Sequence, residues 1–255
     1  MLNTLKRALV ALVLLTSTSG FADELGHEHL PGITFSYWTD ATPPFAIVEG
    51  DVLSGGLIKD IGDAIANKLK LTPHYLDLPV ARIELHLKEG YVDADCITNR
   101  KWKTSPDNYY WSQTLFKGSD RLLVRKGTDF SIDEFKDLEG KRLGVYNGYV
   151  YHAAIMDMIA DGKVQAVKVN SVEKGVLLLK LGRLDALIDF GVLLSFQMKT
   201  ADPESELVFA PLIADEHELS CAYSKTSSVA KEDFDRALSE LIKEGYITKI
   251  LAKYR

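Results

Sequence analysis

The chain has 255 residues and a formal charge of −6. An acidic balance without basic blocks argues against nucleic acid and anionic membrane surfaces as partners. The length allows one large domain or two small ones, and no low-complexity or Pro-rich linker divides it.

Residues 1–22 read as an export leader: Lys6 and Arg7, an apolar run from Ala8 to Leu15, and Gly20-Phe21-Ala22 before a cleavage point. The run is far short of the ~20 apolar residues of a spanning helix. No Cys precedes Cys96, so none is available for lipid attachment at the start of a mature chain. The expected location is the bacterial periplasm. Loss of the leader takes the charge to −8, because it holds two basic residues and no acid. His27-Glu28-His29 is a weak metal signal in a short tail, and His74, His86, His152 and His217 lack metal-ligand spacing, so no metal is expected.

Residues 32–38 (GITFSYW) read as a strand, rich in β-branched and aromatic side chains. Residues 39–45 (TDATPPF) form a loop, and 57–69 an amphipathic helix with Leu57, Ile58, Ile61, Ala64, Ile65 and Leu69 on one side. A strand at 71–76, a helix at 81–88 and a strand at 93–98 complete a β-α-β-α-β order, which implies a mainly parallel sheet. Residues 121–126 read as a strand, with Ser131 and Glu134 as a capping box for a short helix. Strands follow at 141–146, 166–169 and 186–190, with helices at 151–159 and 172–181. Residues 221–224 read as a strand returning to the first part of the fold, and helices near 231–244 and 247–254 close the chain.

One pattern occurs twice. LHLKEGYVDA at 85–94 is matched by LLLKLGRLDA at 177–186, an offset of 92. Each copy reads as a helix end, a glycine able to take the left-handed conformation, and entry into a buried strand. The duplication points to two similar α/β lobes with a ligand cleft between them. The division expected is 23–116 plus 216–255 for the first lobe and 117–215 for the second, so that two chain crossings form a hinge. Two cysteines in an exported chain favour a Cys96–Cys221 disulfide, with two buried free thiols as the alternative.

Seven segments in order, TDATPPF (39–45), GGLIKDIGDAIANKL (55–69), EGYVDADC (89–96), YWSQTLF (110–116), DLEGKRLGVYNG (137–148), LGRLDALIDF (181–190) and CAYSK (221–225), resemble the family 3 extracellular solute-binding proteins. These are the periplasmic components of polar amino-acid transporters. The resemblance implies an α/β, two-lobed periplasmic-binding-protein fold of type II: two mainly parallel sheets joined by two hinge strands, closing on a ligand. It also implies delivery of that ligand to a membrane ABC permease, and a hinge protein of this size is expected to be a monomer.

The same resemblance assigns candidate site residues. Asp189 matches the Asp that holds a ligand amino group, and Asp40 lies where an acid can meet an ammonium. Phe45 is a candidate apolar wall. The family's Thr-x-x-Arg segment, whose Arg grips a carboxylate, is missing: its Arg position falls on Ser105. Arg100 and Arg82 are the candidate substitutes. Where the family places small hydroxyls, this chain reads Asn147-Gly148-Tyr149-Val150-Tyr151, which makes Tyr149 a flat candidate surface. Tyr109, Tyr110 and Trp111 add aromatic mass near the hinge. These departures allow a larger, aromatic or non-amino-acid ligand.

The expectation is a non-enzymatic binder of a small polar ligand, an amino acid or related amine or carboxylate, with no cofactor. The alternatives are a ligand sensor acting on a membrane receptor, or a dehydratase- or lyase-like enzyme on the same fold using Asp189, Asp40 or His152. No Gly-x-Ser-x-Gly elbow or phosphate loop is present.

Overall fold

The computed structural model describes residues 32–146, 149–201 and 206–254. The leader, the His27-Glu28-His29 motif and Asn147-Gly148 lie outside the described residues. In chain order the elements are β1 (Ile33–Trp38), the hairpin β2 (Ile47–Glu49) and β3 (Val52–Gly55), α1 (Leu57–Leu69), β4 (Pro73–Leu78), α2 (Val80–Glu89) and β5 (Ala94–Thr98). Then come β6 (Tyr109–Trp111), β7 (Phe116–Arg125), β8 (Arg142–Tyr146), α3 (Ala153–Ala160), β9 (Gln165–Val169) and α4 (Val172–Lys180). The last are β10 (Ala186–Phe190), α5 (Gly191–Ala201), β11 (Leu207–Ser224), α6 (Lys231–Lys243) and α7 (Tyr246–Tyr254).

Two mainly parallel sheets are joined through β7 and β11. In the first, β4, β1 and β5 run parallel, with the end of β11 antiparallel to β5 and β6. In the second, β10, β8 and β9 run parallel, and β7 is antiparallel to β10. β11 pairs with β7 from Leu207↔Arg125 to Leu219↔Phe116 and then turns to β5, so the two long strands carry the chain between sheets.

The repeated motif has a physical cause. Gly90 (φ 80°) and Gly182 (φ 69°) both stand in the left-handed region, just past α2 and α4. Each turn delivers an aspartate to the start of a neighbouring strand. Asp93 Oδ2 accepts from the Thr34 amide at 2.7 Å while its own amide donates to the Thr34 carbonyl. Asp185 Oδ2 accepts from the Arg142 amide at 2.8 Å, its amide donates to the Arg142 carbonyl, and the Arg142 side chain adds an ion pair. The same clamp therefore registers β5 on β1 and β10 on β8.

Helix α1 buries Leu57, Ile58, Ile61, Ala64 and Ile65, the apolar stripe expected of a helix with one covered face. No side chain caps its start. Instead the Leu57 and Ile58 amides donate to the carbonyls of Pro44 and Phe45, 2.8 and 3.0 Å away, which fixes the Pro-Pro-Phe loop on the helix. Cys96 and Cys221 lie opposite each other on β5 and β11 and form the disulfide, which spans 125 residues of sequence.

The structure corrects one reading, lengthens another and adds elements. The capping box belongs to Glu134 and Asp137 at a 3-10 turn, Phe135–Leu138, and Ser131 takes no part. The strand placed at 221–224 is the last part of the 18-residue β11. Helix α5 and the hairpin β2–β3 were absent from the sequence reading.

Candidate functional site

The parallel strands β8 and β10 end side by side, and in open α/β sheets ligands bind beyond such carboxyl ends. β10 ends in Asp189 and Phe190 and passes directly into α5. Asp189 is 6 % exposed. Its Oδ1 accepts from the Phe190 amide at 2.7 Å, the one hydrogen bond its side chain receives among the described residues. Burial, with lesser repulsion from Asp120 and Glu173, raises its pKa to about 6, although the Phe190 amide and the Tyr146 hydroxyl favour the ionised form. The Tyr146 hydroxyl, at the end of β8, is buried close enough to that carboxylate to favour its ionised form, but makes no hydrogen bond of full geometry among the described residues.

Three tyrosines follow one another from this point. Tyr146 and Tyr149 have ring centroids 5.5 Å apart, and Tyr149 and Tyr151 6.2 Å. The Tyr151 hydroxyl accepts from the Tyr146 amide at 2.8 Å, which pins the segment to the strand end. Tyr149 remains 61 % exposed along its ring, while the protein mass around its hydroxyl, with the charges of Asp189 and Asp120, raises its pKa. A second aromatic row crosses between the sheets: Trp38 to Phe45 at 5.3 Å, Phe45 to Phe190 at 5.9 Å, Phe190 to His217 at 6.4 Å, and His217 to Trp102 at 5.2 Å. Gly118 on β7 makes room for this row, since a Cβ there would stand 2.1 Å from the Phe190 ring.

His217 Nε2 lies 3.1 Å from Asp120 Oδ2, and this bond outweighs burial and raises the histidine's pKa. Asp120, Asp215 and His217 place three possible metal-ligand atoms within 4.8 Å of one another. The Asp120 bond favours the protonated imidazole, which has no lone pair to offer a cation.

The sequence candidates fall into two groups. Asp189, Phe45 and Tyr149 come together with these aromatic rows, Phe45 being packed between Trp38 and Phe190. Asp40 is exposed on the turn after β1 with φ 67°, and Arg82 is exposed in the first turn of α2. Arg100 is exposed, pairs with Asp107 and lies over the Trp111 ring. His152 caps α3 by accepting from the Ala154 amide at 3.2 Å and stacks on Phe135.

Sequence reasoning missed Asp120, Arg121 and His217, all on the two crossing strands. Arg121 stands opposite Asp189 in register, yet no ion pair joins them. Its guanidinium donates to the Ala210 carbonyl at 3.1 Å and lies 4.7 Å from the Phe209 ring centre, and its Nε is buried without a partner. Two cavities, of about 400 and 500 Å³, lie away from the strand ends, beside α7 and α4. Charged pairs, Lys253–Asp60 and Lys180–Glu206, already occupy their walls.

Similarity to known proteins follows the same lines. An L-arginine-binding protein of Pseudomonas aeruginosa is 25 % identical over 224 residues, covering 84 % of each chain. The solved structure of an ancestral arginine-binding protein bound to arginine has a TM-score of 0.64 and 24 % identity, covering 87 % of this chain and 97 % of that one. The substrate-binding protein of an amino acid ABC transporter has a TM-score of 0.61 and 20 % identity, covering 87 % of this chain and 98 % of its own. Residues 36–255 match the profile of the bacterial extracellular solute-binding proteins, family 3, and the chain belongs to that family of solute-binding proteins.

Proposed function

We propose that this chain is exported to the periplasm, captures a small polar solute between its two lobes and passes it to a membrane ABC permease. The leader-like residues 1–22 support export, and the arginine-binding and ABC-transporter relatives support capture and delivery. The lobes are 23–116 with 216–255, and 117–215, divided where β7 and β11 cross. Ligand contacts fall to Asp189, Phe45 and Tyr149, with Asp40, Arg82 and Arg100 at the outer edge of the cleft. The observation that carries this reading is the convergence of buried Asp189, the Tyr146 hydroxyl and the exposed Tyr149 ring at adjacent strand ends.

Binding favours the closed state through contacts that exist only there, and requires no bond to be made or broken. His152, a candidate acid or base, is occupied in capping a helix, which favours a binder over an enzyme. Native mass spectrometry of the protein purified without refolding, followed by thermal-shift screening of amines, amino acids and organic acids, tests the reading. A co-purified small molecule, or a dose-dependent rise in melting temperature, is expected. A chain that neither carries nor is stabilised by any small solute contradicts it.

A further inference from the structure

Phe45 stands on a loop, and the start of α1 holds that loop in place. The Leu57 and Ile58 amides donate to the Pro44 and Phe45 carbonyls. Gly56, just before the helix, presses on the same backbone: a Cβ there would stand 2.5 Å from the Phe45 oxygen and 2.8 Å from Ala46 Cα. The Gly56 amide donates to the Tyr254 hydroxyl, 3.0 Å away on α7 and 198 residues along the chain. Tyr254 is 4 % exposed, and its hydroxyl donates to Asp60 Oδ2, 2.9 Å away in the first turn of α1. A phenol has one hydrogen to give, so the bond to Asp60 leaves its lone pairs for the Gly56 amide. α7 touches the second lobe as well, where Lys199 Nζ of α5 lies 3.5 Å from the Lys253 carbonyl. α5 begins directly after Phe190, whose ring centre is 5.9 Å from that of Phe45. The two rings are therefore connected twice, by direct contact and through α5, α7 and α1.

Packing explains a buried ring but not this use of its hydroxyl. Amides at a helix start lack partners within the helix, and a buried one without an acceptor is costly. Here that need is met at the residue that abuts Phe45. Resting on the solute-binding reading above, in which Phe45 lines the cleft, we infer that Tyr254 is a positioning residue for the binding site. Through Gly56 its hydroxyl fixes the Phe45 loop, and with it the spacing of Phe45 from Phe190. A wall held before the solute arrives costs less to order on binding.

Amide-resolved hydrogen exchange of the ligand-free protein tests this in Tyr254→Phe, which keeps the ring and removes the hydroxyl. The amides of Phe45, Leu57 and Ile58 bond to Thr42, Pro44 and Phe45, not to Tyr254, so a role confined to Gly56 would leave them unchanged. They are expected to exchange at least about tenfold faster, while the β8 amides of the second lobe keep their wild-type rates. Lys253→Ala removes a partner of Asp60 but not the hydroxyl, and should leave the loop as it is. The Trp38 ring centre lies 5.3 Å from that of Phe45, so its 5-fluorotryptophan resonance should shift in Tyr254→Phe and not in Lys253→Ala. Faster exchange confined to Gly56, or spread evenly over both lobes, overturns the inference, as does an unmoved Trp38 signal. Titration with arginine, the solute bound in the solved ancestral relative, should show at least about fivefold weaker binding in Tyr254→Phe, and equal affinity also overturns it. The exchange measurement needs no solute. A wild-type protein that binds none thus removes the solute-binding reading, and an unreleased loop removes this inference, each by its own result.

Discussion

At Asp189 the needs of folding oppose those of the proposed binding. In an unfolded chain its carboxyl titrates near 3.8, and in the fold burial lifts this to about 6. Between those values the folded state binds more protons, so acid favours folding. The advantage is complete below the unfolded value and is lost as pH rises through about 6. At neutral pH the ionised group therefore costs roughly 1–3 kcal/mol. Asp189→Asn should raise the melting temperature of the free protein by about 3–10 °C at pH 7, with little effect at pH 4, as calorimetry at the two pH values would show. Under the proposed function, binding of a ligand amino group at Asp189 should have the opposite dependence, strengthening as pH rises through about 6 because it needs the ionised carboxylate. A titration series between pH 5 and 8 reads this directly. Tyr146→Phe removes a buried hydroxyl that has no partner, and should raise the stability of the free protein by about 1 kcal/mol in chemical denaturation. Asp189 was legible in the sequence because a charge after Ala186-Leu187-Ile188 demands a partner. Asp120 and His217 carry no such signature. Their meaning comes from register between distant strands, where Phe190 faces Asp120 and His217 faces Gly118.

At the scale of elements, the two helix–glycine–strand corners show how a sequence repeat encodes a structural one. Both glycines need positive φ, so replacement by alanine should cost about 1 kcal/mol at each. Gly90→Ala should be the worse, since its Cβ would meet Thr226 Oγ1 at 2.7 Å, while at Gly182 the nearest atom is an Arg125 guanidinium nitrogen at 3.7 Å. Comparing the denaturation midpoints of the two variants checks the order. Gly118→Ala acts on the site instead: it displaces the Phe190 ring and should weaken ligand binding severalfold while the disulfide and sheets persist. The parallel strands and their helices were readable because their apolar residues keep a regular period. β11 was not. Its pairing with β7 shifts register between Phe209 and Asp215, and Pro211 interrupts the stretch, so LVFAPLIADEHELS does not alternate as a strand should. α5 was missed because it begins at Gly191, immediately after β10, leaving no turn residues to announce a new element.

For the whole molecule, the crossing pair β7–β11 is the scaffold of the candidate site and, in the proposed function, the route by which closure would be transmitted. Asp120, Arg121 and His217 lie on it, and Phe190 packs over it. A solute that draws Asp189 and Phe45 together should reduce the radius of gyration of the chain, a change that solution X-ray scattering with and without ligand would register. The disulfide lies where β11 has left β7 for β5, and therefore anchors the crossing strand to the first sheet. Replacing both cysteines by serine should lower stability by up to about 4–5 kcal/mol, the loop-entropy value for a span above 100 residues. Ligand affinity should change little, because neither sulfur belongs to the aromatic rows.

That cross-link also sets an order of events for a chain exported from its N-terminus, as proposed above. Cys96 arrives first and has no partner until Cys221 follows 125 residues later, after every strand and helix of the second sheet has passed. With two cysteines in the entire sequence, no wrong bond can form within one molecule. The available error is between molecules: a half-delivered chain carries a lone thiol and can be captured by another. Slow export at high synthesis should therefore produce linked dimers, whereas isomerase activity, which corrects mispaired bridges inside a chain, has nothing to correct in the monomer.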